Sequence, residues 1–550
     1  RDVTGSDYPS EVGFDDQSTH TPVWLVQAML LNVVYGHNCG DKTASDIAST
    51  HCAALVSLAQ AANLLRPSEH KTNDEAMLIE NWGRINEEEE KSQWLQWKSS
   101  EERKRTLYVV FILSSLLVTA YNHSPALTNS ELFLDLPCDE DFFSAETSAA
   151  FSAKGGVTAA NHNQMTFHDA LGELLRTNER QQARRQSVTQ DEKHTNRNQD
   201  DDILPQTGLR PSTFGCLVLI NALHNYIWET RQRHHNKVWT NEETEKMHRH
   251  IEPALKAWQA AWASNPQHSL QRPNPYGIGP LSADAIPLLD LAYVRLFVNL
   301  SRSKERFWQR DWDGMAEELA KGSEIIQHAD MADSNNDVAV ADADDMSVFA
   351  DSPMSTGPND LPKTGNAMTS RGPTRRERHL RKAAFYAADS LAMSDKLGVS
   401  FADFTSKELP LQSAMCAFDC AQVLAEWVST LQDRVGRYLG ILGHENIDFT
   451  QLPAIVLLED EDIKLLEKIK DVLGSAELKI NVEMVGELDG AESKIAADGH
   501  NGFATKILRI TAYTLDKAAV WPVTNLMARC LETHSNYSKL RAEKSVARNS

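Results

Sequence analysis

A cysteine beside a proline, in the stretch LPCDEDFF, is the first place in the sequence where chemistry can be considered. A reactive thiolate at Cys138 would need a nearby cation or a helix N-terminus to lower the pKa of its thiol. The surrounding acids, Asp135 and residues 139–141, would raise that pKa if they lie near the sulfur. The sequence therefore favours a Cys138 that packs in the structure over one that reacts.

Two runs of acidic residues, 200–202 and 459–462, suggest a magnesium site of the kind used by all-α terpene synthases. Such a site needs aspartates at helical spacing facing a deep apolar cavity, with a second carboxylate cluster opposite. The first run lies in a polar segment. The second opens a predicted helix, where the macrodipole favours acids without any ligand. Because no second cluster completes the site, a metal-dependent enzyme is not predicted.

The histidines at 234–235 and the pair His248 and His250 are the other candidate metal ligands. The second pair is two residues apart, so it cannot share one helical face, and no cysteine is near enough to complete a zinc site. We expect these histidines to be solvated. The sequence also lacks the glycine-rich phosphate loop, the dinucleotide fingerprint and the nucleophile elbow. We expect neither a cofactor nor catalysis in this chain.

Two serines are candidates for phosphorylation. Ser187 follows paired arginines at 184–185, a pattern that basophilic kinases recognise, and it lies in a polar segment expected to be mobile. Ser352 precedes a proline in an acidic segment. A phosphate adds about −1.5 to −2 charge and could bind nearby arginines.

A basic cluster, RGPTRRERHLRK, spans Arg371 to Lys382. It is typical of a nuclear import signal at the junction between an acidic insert and a helix. The alternative interpretation is a solvated helix face on which Glu377 is interspersed. The candidate import residues are Arg375, Arg376, Arg378, Arg381 and Lys382.

The overall charge limits the partners. Lys and Arg number 55 against 77 Asp and Glu, giving a formal charge of −22, so the body should repel nucleic acid and anionic lipid. Seven scattered cysteines include no CxxC pair, which argues against a zinc site or a disulfide framework and favours a reducing compartment.

One apolar run, Leu107 to Tyr121, is the only membrane candidate in the sequence. It is shorter than the roughly 20 residues needed to cross a bilayer, so we predict a buried core helix and no membrane partner. The chain begins with Arg1 rather than Met, and its first residues contain no signal-peptide core. We expect it to be part of a longer protein.

Helical spacing of apolar residues recurs along the chain, whereas strand alternation is hard to find. The sequence predicts an all-α fold, an irregular multi-helix bundle or array with long disordered loops. A helix opening after Pro22 is apolar on nearly all sides and is expected to be buried. The predicted segments are helical at 1–180, a mobile loop at 181–207, helical at 208–332, a disordered acidic insert at 333–375, helical at 376–474, a loop at 475–502, terminal helices at 503–535 and a tail at 536–550.

An ordered set of segments in the first 150 residues carries a family resemblance. It comprises VWLVQAMLLNVVYG, DIASTHCAALVSLAQAANLL, W-x-RI at Trp82 to Ile85, ERKRTLYVVFILSSLLV and SPALTNSELFLDLPCDEDFF. In this order they resemble the fungal-specific transcription factor domain, the regulatory middle homology region of fungal activators and repressors. The resemblance implies that the apolar helix is buried, the proline turn redirects the chain and LPC packs its return. The signature residues with this structural role are Trp24, Gln27, Pro125, Leu136, Pro137 and Cys138.

Two later segments, Leu288 to Ala316 and Ile507 to Leu526, resemble family members that bind DNA through two-Cys two-His zinc fingers. This chain has no zinc-finger spacing, so the resemblance implies a DNA-binding zinc module upstream and no direct DNA binding here. The chain departs from the family at Ser114-Ser115, where many members carry an acidic residue.

The resemblance implies a nuclear, non-catalytic regulatory domain of a fungal RNA polymerase II transcription factor. Its partners would be transcriptional coregulators, with a small-molecule inducer and a homodimer left open. The alternative from another class is an all-α interaction scaffold without a transcriptional role.

Overall fold

The computed structural model describes residues 21–67, 87–162, 164–180, 183, 207–232, 241–270, 281–321, 375–403, 411–444, 458–486, 501–517 and 521–547. Within these ranges the regular structure is helical, and the nearest approach to a sheet is one isolated bridge between Asp135 and Thr166. The all-α prediction is confirmed.

The described helices are numbered in chain order. They are α1 Val23–Asn38, α2 Lys42–Ala61, α3 Glu87–Tyr121, a 3-10 turn Asn129–Glu131, α4 Glu140–Phe143, α5 Ser148–Ala153, α6 Gly156–Ala160, α7 Phe167–Leu175, α8 Thr213–Gln232, α9 Asn241–Ala263, α10 Leu281–Phe297, α11 Ser301–Trp308, α12 Trp312–Lys321, α13 Arg375–Asp403, α14 Leu411–Leu439, α15 Asp460–Gly486, α16 Phe503–Lys517 and α17 Pro522–Ala547.

Short polar side chains fix several helix starts. The Asp41 carboxylate accepts a hydrogen bond from the Ala44 amide at the start of α2, at 2.8 Å. The Thr166 hydroxyl does the same for the Asp169 amide at the start of α7, at 3.1 Å. These bonds satisfy amides that a helix leaves without an internal partner, so the local sequence sets where the helices begin.

Helix α3 changes character along its length. Its first turn carries four glutamates, and its last fifteen residues, from Leu107 to Tyr121, are almost entirely buried. It is long and apolar enough to cross a membrane by composition alone, yet 78% of its most apolar window is buried inside the protein. The predicted core helix is therefore present, joined to a polar N-terminal half.

The helices share one continuous apolar core, in which neighbours pack from α1 on α2 and α3, through α8 and α10, to α13 and α14. Helices α16 and α17 pack against each other and against α14, and α17 also reaches α12 and α1. The C-terminal end of the chain thus packs near its N-terminal helices. A smaller cluster, around Trp94, Ala145 and Phe151, lies under the polar half of α3.

Three segment predictions need correction. The loop predicted at 475–502 is helical up to Gly486, because α15 continues past Ser475. The tail predicted at 536–550 is helical up to Ala547 as the second half of α17, with buried Ser538 and Ser545. Helix α1 is not buried on all sides. The predicted loops at 181–207 and 333–375 fall almost wholly outside the described residues.

Candidate functional site around Cys138

The signature segment lies across α3 and is held at its edges by backbone hydrogen bonds. The Leu136 amide donates to the Met165 carbonyl at 2.8 Å, and the Phe167 amide donates to the Leu134 carbonyl at 2.9 Å. The Tyr108 hydroxyl of α3 donates to the Asp135 carbonyl at 3.0 Å. The return of the chain is thereby fixed between α3 and the start of α7.

Glu101 and Arg105 of α3 bind Cys138 through its backbone. The Cys138 amide donates to the Glu101 carboxylate at 3.0 Å, and the Arg105 guanidinium donates to the Cys138 carbonyl at 2.8 Å. Arg105 also donates to Glu101 at 3.0 Å, and Lys104 donates to its other oxygen at 2.8 Å. The Glu101 side chain is only 2% exposed. We call Glu101, Arg105, Cys138 and Glu140 the signature junction.

Charges in the junction are compensated. Burial alone would raise the pKa of Glu101, but Lys104, Arg105 and the bond from the Cys138 amide hold it below its ordinary value. Burial raises the pKa of the Cys138 thiol to about 12, with the charge of Glu101 adding to the shift and Arg105 opposing it. A neutral thiol is a poor nucleophile. The geometry therefore favours the packing role that the sequence predicts for Cys138.

Glu140 extends the junction to α8. Its two carboxylate oxygens accept from the Thr213 amide at 3.2 Å and the Phe214 amide at 2.9 Å, at the first turn of that helix. A carboxylate at a helix N-terminus accepts from amides that have no partner inside the helix, and the positive end of the helix macrodipole stabilises its charge. The Arg105 guanidinium lies 4.3 Å from the centre of the Phe143 ring. The acids after Cys138 thus join α3 to α8.

Glu101 and Arg105 were not among the residues singled out in the sequence, and Glu140 was considered only as an acid near the Cys138 thiol. The pair at 101 and 105 could have been found, because opposite charges four residues apart on a helix are neighbours. The contact of Glu140 with α8 joins residues 73 and 74 positions apart, for which the sequence contains no local signal.

The proline turn is buried and is bonded to α3. Pro125, Leu136 and Pro137 are buried. The Leu127 amide donates to the Ser114 hydroxyl at 2.7 Å, so the serine at the departure from the family pattern holds the turn.

The two signature residues on α1 differ from each other. The Gln27 amide donates to the Glu102 carboxylate at 3.1 Å and to the Thr106 hydroxyl at 3.2 Å, which fixes α1 on α3. Trp24, in contrast, is 65% exposed. The structure therefore does not place Trp24 in a packing role within one chain.

Two depressions flank this region. An open, mainly apolar groove of about 590 Å³ lies between α1 and α3, lined by Leu30, Leu31 and Val109 together with Phe143. A cleft of about 280 Å³ lies beside the signature segment, and its lining includes Lys104, His162 and Arg210.

The basic cluster is partly used inside the protein. The Arg381 guanidinium pairs with Glu459, Glu461 and Asp462 at the start of α15, and its side chain is 15% exposed. Arg434 of α14 pairs with Asp462 at 3.2 Å. Arg378 is exposed, Lys382 lies 5.7 Å from the Phe297 ring centre, and the side chains of Arg375 and Arg376 are outside the described residues. Arg381 therefore fits neither a free import signal nor a solvated face.

The acids at 459–462 stand at a helix start as the sequence predicts, and they neutralise arginines. Among the described residues, no group of three or more His, Cys, Asp or Glu side chains is placed to hold a metal ion. The prediction that the histidines are solvated is wrong for His248. Its ring is buried against Phe297, and its Nε2 lies 3.0 Å from the Leu296 carbonyl. His250 lies 3.0 Å from the Tyr226 hydroxyl. Ser187 and Ser352 lie outside the described residues.

Comparison with known families matches two models. The fungal specific transcription factor domain matches residues 14–260, and the fungal transcription factor C-terminal domain matches residues 354–533. The searches against curated proteins and against solved structures gave no significant match. The chain contains a fungal specific transcription factor domain and a fungal transcription factor C-terminal domain, and these matches support a role in transcription regulation. The signature junction lies within the first matched range.

Proposed function

We propose that this chain is the regulatory, non-catalytic domain of a nuclear RNA polymerase II transcription factor. DNA binding would come from a zinc module elsewhere in the protein, of the two-Cys two-His type. This domain would act through contacts with transcriptional coregulators.

The observation that carries the proposal is that the charged side chains of the signature junction bind groups inside the protein. Glu101, Arg105 and Glu140 direct their charges at backbone groups and at one another. Catalytic residues have to contact a substrate. The junction residues instead hold α3, α4 and α8 together, which is a structural role. The formal charge of −22 disfavours direct DNA contact and suits basic or mixed-charge protein partners.

A tethering assay tests the regulatory role. The 550-residue chain is fused to an unrelated DNA-binding domain in a fungal host, and transcription of a reporter carrying its site is measured. We expect transcription to rise or fall relative to the DNA-binding domain alone. An unchanged reporter at matched protein level would contradict the proposal and favour the interaction scaffold.

The cleft beside the signature segment is where we propose that a small-molecule inducer would bind. Its volume of about 280 Å³ lies just below the range of about 300–1,000 Å³ typical of ligand pockets. Lys104 is already paired with Glu101, and Asp139 also lines the cleft, so a small anion would bind the exposed Arg210. Thermal shift with a panel of small dicarboxylates and phosphate esters tests this, and Arg210→Ala should abolish any shift found. A panel without any shift would count against an inducer here.

Ser187 and Ser352 remain predicted phosphorylation sites. Phosphopeptide mapping under several growth conditions tests both, and two serines that stay unmodified in every condition would refute the prediction.

For nuclear import we propose Arg375, Arg376, Arg378 and Lys382 without Arg381. Replacing Arg378 and Lys382 by Ala should reduce nuclear accumulation of a fluorescent fusion, whereas full accumulation would contradict this role.

A further inference from the structure

Helix α1 presents a row of apolar side chains to solvent. Trp24 is 65% exposed, Leu31 67% and Tyr35 66%, and Ala28 between them is also exposed. At 3.6 residues per turn these four positions fall within about 60° of the helix circumference. Single exposed apolar residues are common on proteins, but a contiguous row on one helix face marks an interaction surface. We call these four residues the α1 stripe.

The α1 stripe is symmetric in its spacing. Its members are four, three and four residues apart, so the order is the same in both directions along the helix. If a second α1 lies antiparallel on the first, Trp24 lies opposite Tyr35 of the other copy, and Ala28 lies opposite Leu31. A two-fold interface requires this kind of self-complementary pattern, and a small residue opposite a large one lets the helices approach.

Charge and surroundings are compatible with a second copy. The stretch from Val23 to Asn38 contains no Lys, Arg, Asp or Glu, and His37 is buried. The charge of −22 is carried elsewhere, and its repulsion is screened beyond a Debye length of about 8 Å at physiological ionic strength. The groove between α1 and α3 shares Leu31 with the stripe, and its apolar lining residues extend that surface, with Lys98, Glu102 and Arg105 also in the lining.

We infer that the α1 stripe is a self-association surface through which two copies of this chain pair antiparallel. The inference does not depend on the proposed transcriptional role, because it follows from the face of α1 alone. A 16-residue helix is about 24 Å long, so the contact is smaller than the roughly 800 Å² per partner of a standard interface. We therefore expect dissociation in the micromolar range.

Sedimentation velocity of the 550-residue chain over a concentration series tests the pairing. The wild type should shift from monomer to dimer as its concentration rises. Leu31→Glu should raise the dissociation constant by more than about tenfold, because it places an unpaired carboxylate in the contact. Leu478→Glu is the matched control, since Leu478 of α15 is 68% exposed and undergoes the same change on another face. Circular dichroism and thermal melting confirm that both variants fold.

A charge pair tests the antiparallel arrangement. Leu31→Glu in one copy lies opposite position 28 of the other, so mixing it with Ala28→Lys should give a heterodimer tighter than either homodimer. A wild type that stays monomeric at all concentrations would overturn the inference. Equal weakening by Leu478→Glu would overturn it as well. Failure of the mixture to associate would exclude this pairing.

Discussion

At the scale of single residues, the carboxylate of Glu101 accepts from the Cys138 amide, from Arg105 and from Lys104, while its side chain is 2% exposed. Removing the buried Glu101 carboxylate costs more than the net stabilisation from its hydrogen bonds, because Lys104 and Arg105 remain half-buried without a counter-charge. The signature segment around Cys138 is therefore held by a residue outside the segment.

Glu101→Gln should destabilise the protein. We expect a loss of about 3 kcal/mol in the free energy of unfolding at pH 7, because Arg105 and Lys104 lose their counter-charge. Urea unfolding measures this. Glu467→Gln is the control, since the Glu467 carboxylate on α15 is exposed and its loss should change stability by less than about 0.5 kcal/mol. Equal effects of the two variants would contradict the role of the junction.

The stability loss caused by Glu101→Gln should depend on pH. Because the pKa of Glu101 is lowered in the folded state, its ionised form stabilises the protein at pH values above the unfolded pKa of about 4.3. This contribution is lost as pH falls through the folded pKa. The difference between wild type and Glu101→Gln should be constant from pH 6 to 8 and should shrink below about pH 4.3.

At the scale of helices, α8 and α10 are joined by a neutral histidine. The His224 ring donates through Nε2 to the Leu288 carbonyl at 2.8 Å, and Nδ1 accepts from Arg295 at 3.0 Å. Burial lowers the pKa of His224 to about 3, and the charge of Arg295 adds to the shift. Only the neutral ring with its proton on Nε2 can donate to Leu288 and accept from Arg295.

His224→Leu should destabilise the protein by about 3 kcal/mol at pH 7, because the Arg295 guanidinium loses a buried acceptor. The unfolded wild type takes up a proton below about pH 6.5, whereas the folded ring does not, so wild-type stability falls on acidification. The difference between the two proteins should therefore shrink by about 1.4 kcal/mol per pH unit below that value. Urea unfolding at several pH values checks this.

Exposed His162 provides the control. His162→Leu should leave stability at pH 7 nearly unchanged. A His224→Leu variant whose difference from wild type does not change with pH would contradict the neutral ring.

Helix α1 shows where sequence patterning fails. A helix that is apolar on nearly all sides predicts burial, yet among the described helices α1 packs mainly on α2, α3 and α17 and exposes Trp24, Leu31 and Tyr35. Periodicity indicates apolar faces but not what covers them. The all-α class and the buried half of α3 were predictable, because long apolar periodic segments dominate them.

At the scale of the whole molecule, Lys304 of α11 joins parts of the chain that are far apart in sequence. Its ammonium donates to the Thr119 carbonyl of α3 and pairs with Asp419 of α14 at 2.5 Å, and both charged side chains are less than 10% exposed. Lys304 and Asp419 are 115 residues apart, so no sequence pattern indicates the pair. The pair of Glu101 and Arg105 could have been predicted from the sequence, because the two residues are four positions apart on one helix.

Lys304→Met should destabilise the whole protein by about 3 kcal/mol, because Asp419 remains buried without its partner. The double variant Lys304→Met with Asp419→Leu should recover part of that loss. Lys321→Met, at an exposed pair with Glu318, is the control and should change stability by less than about 1 kcal/mol. Thermal unfolding of the three variants measures these differences, and a double variant less stable than Lys304→Met would refute the explanation.

The central claim is that this chain regulates transcription while DNA recognition lies outside it. Chromatin immunoprecipitation with sequencing, using the native protein tagged at its genomic locus, tests this most directly. The account predicts discrete enrichment at promoters for the native protein and background signal for the 550-residue chain expressed alone. Absence of enrichment for the native protein, in a strain where it is expressed, would contradict the account.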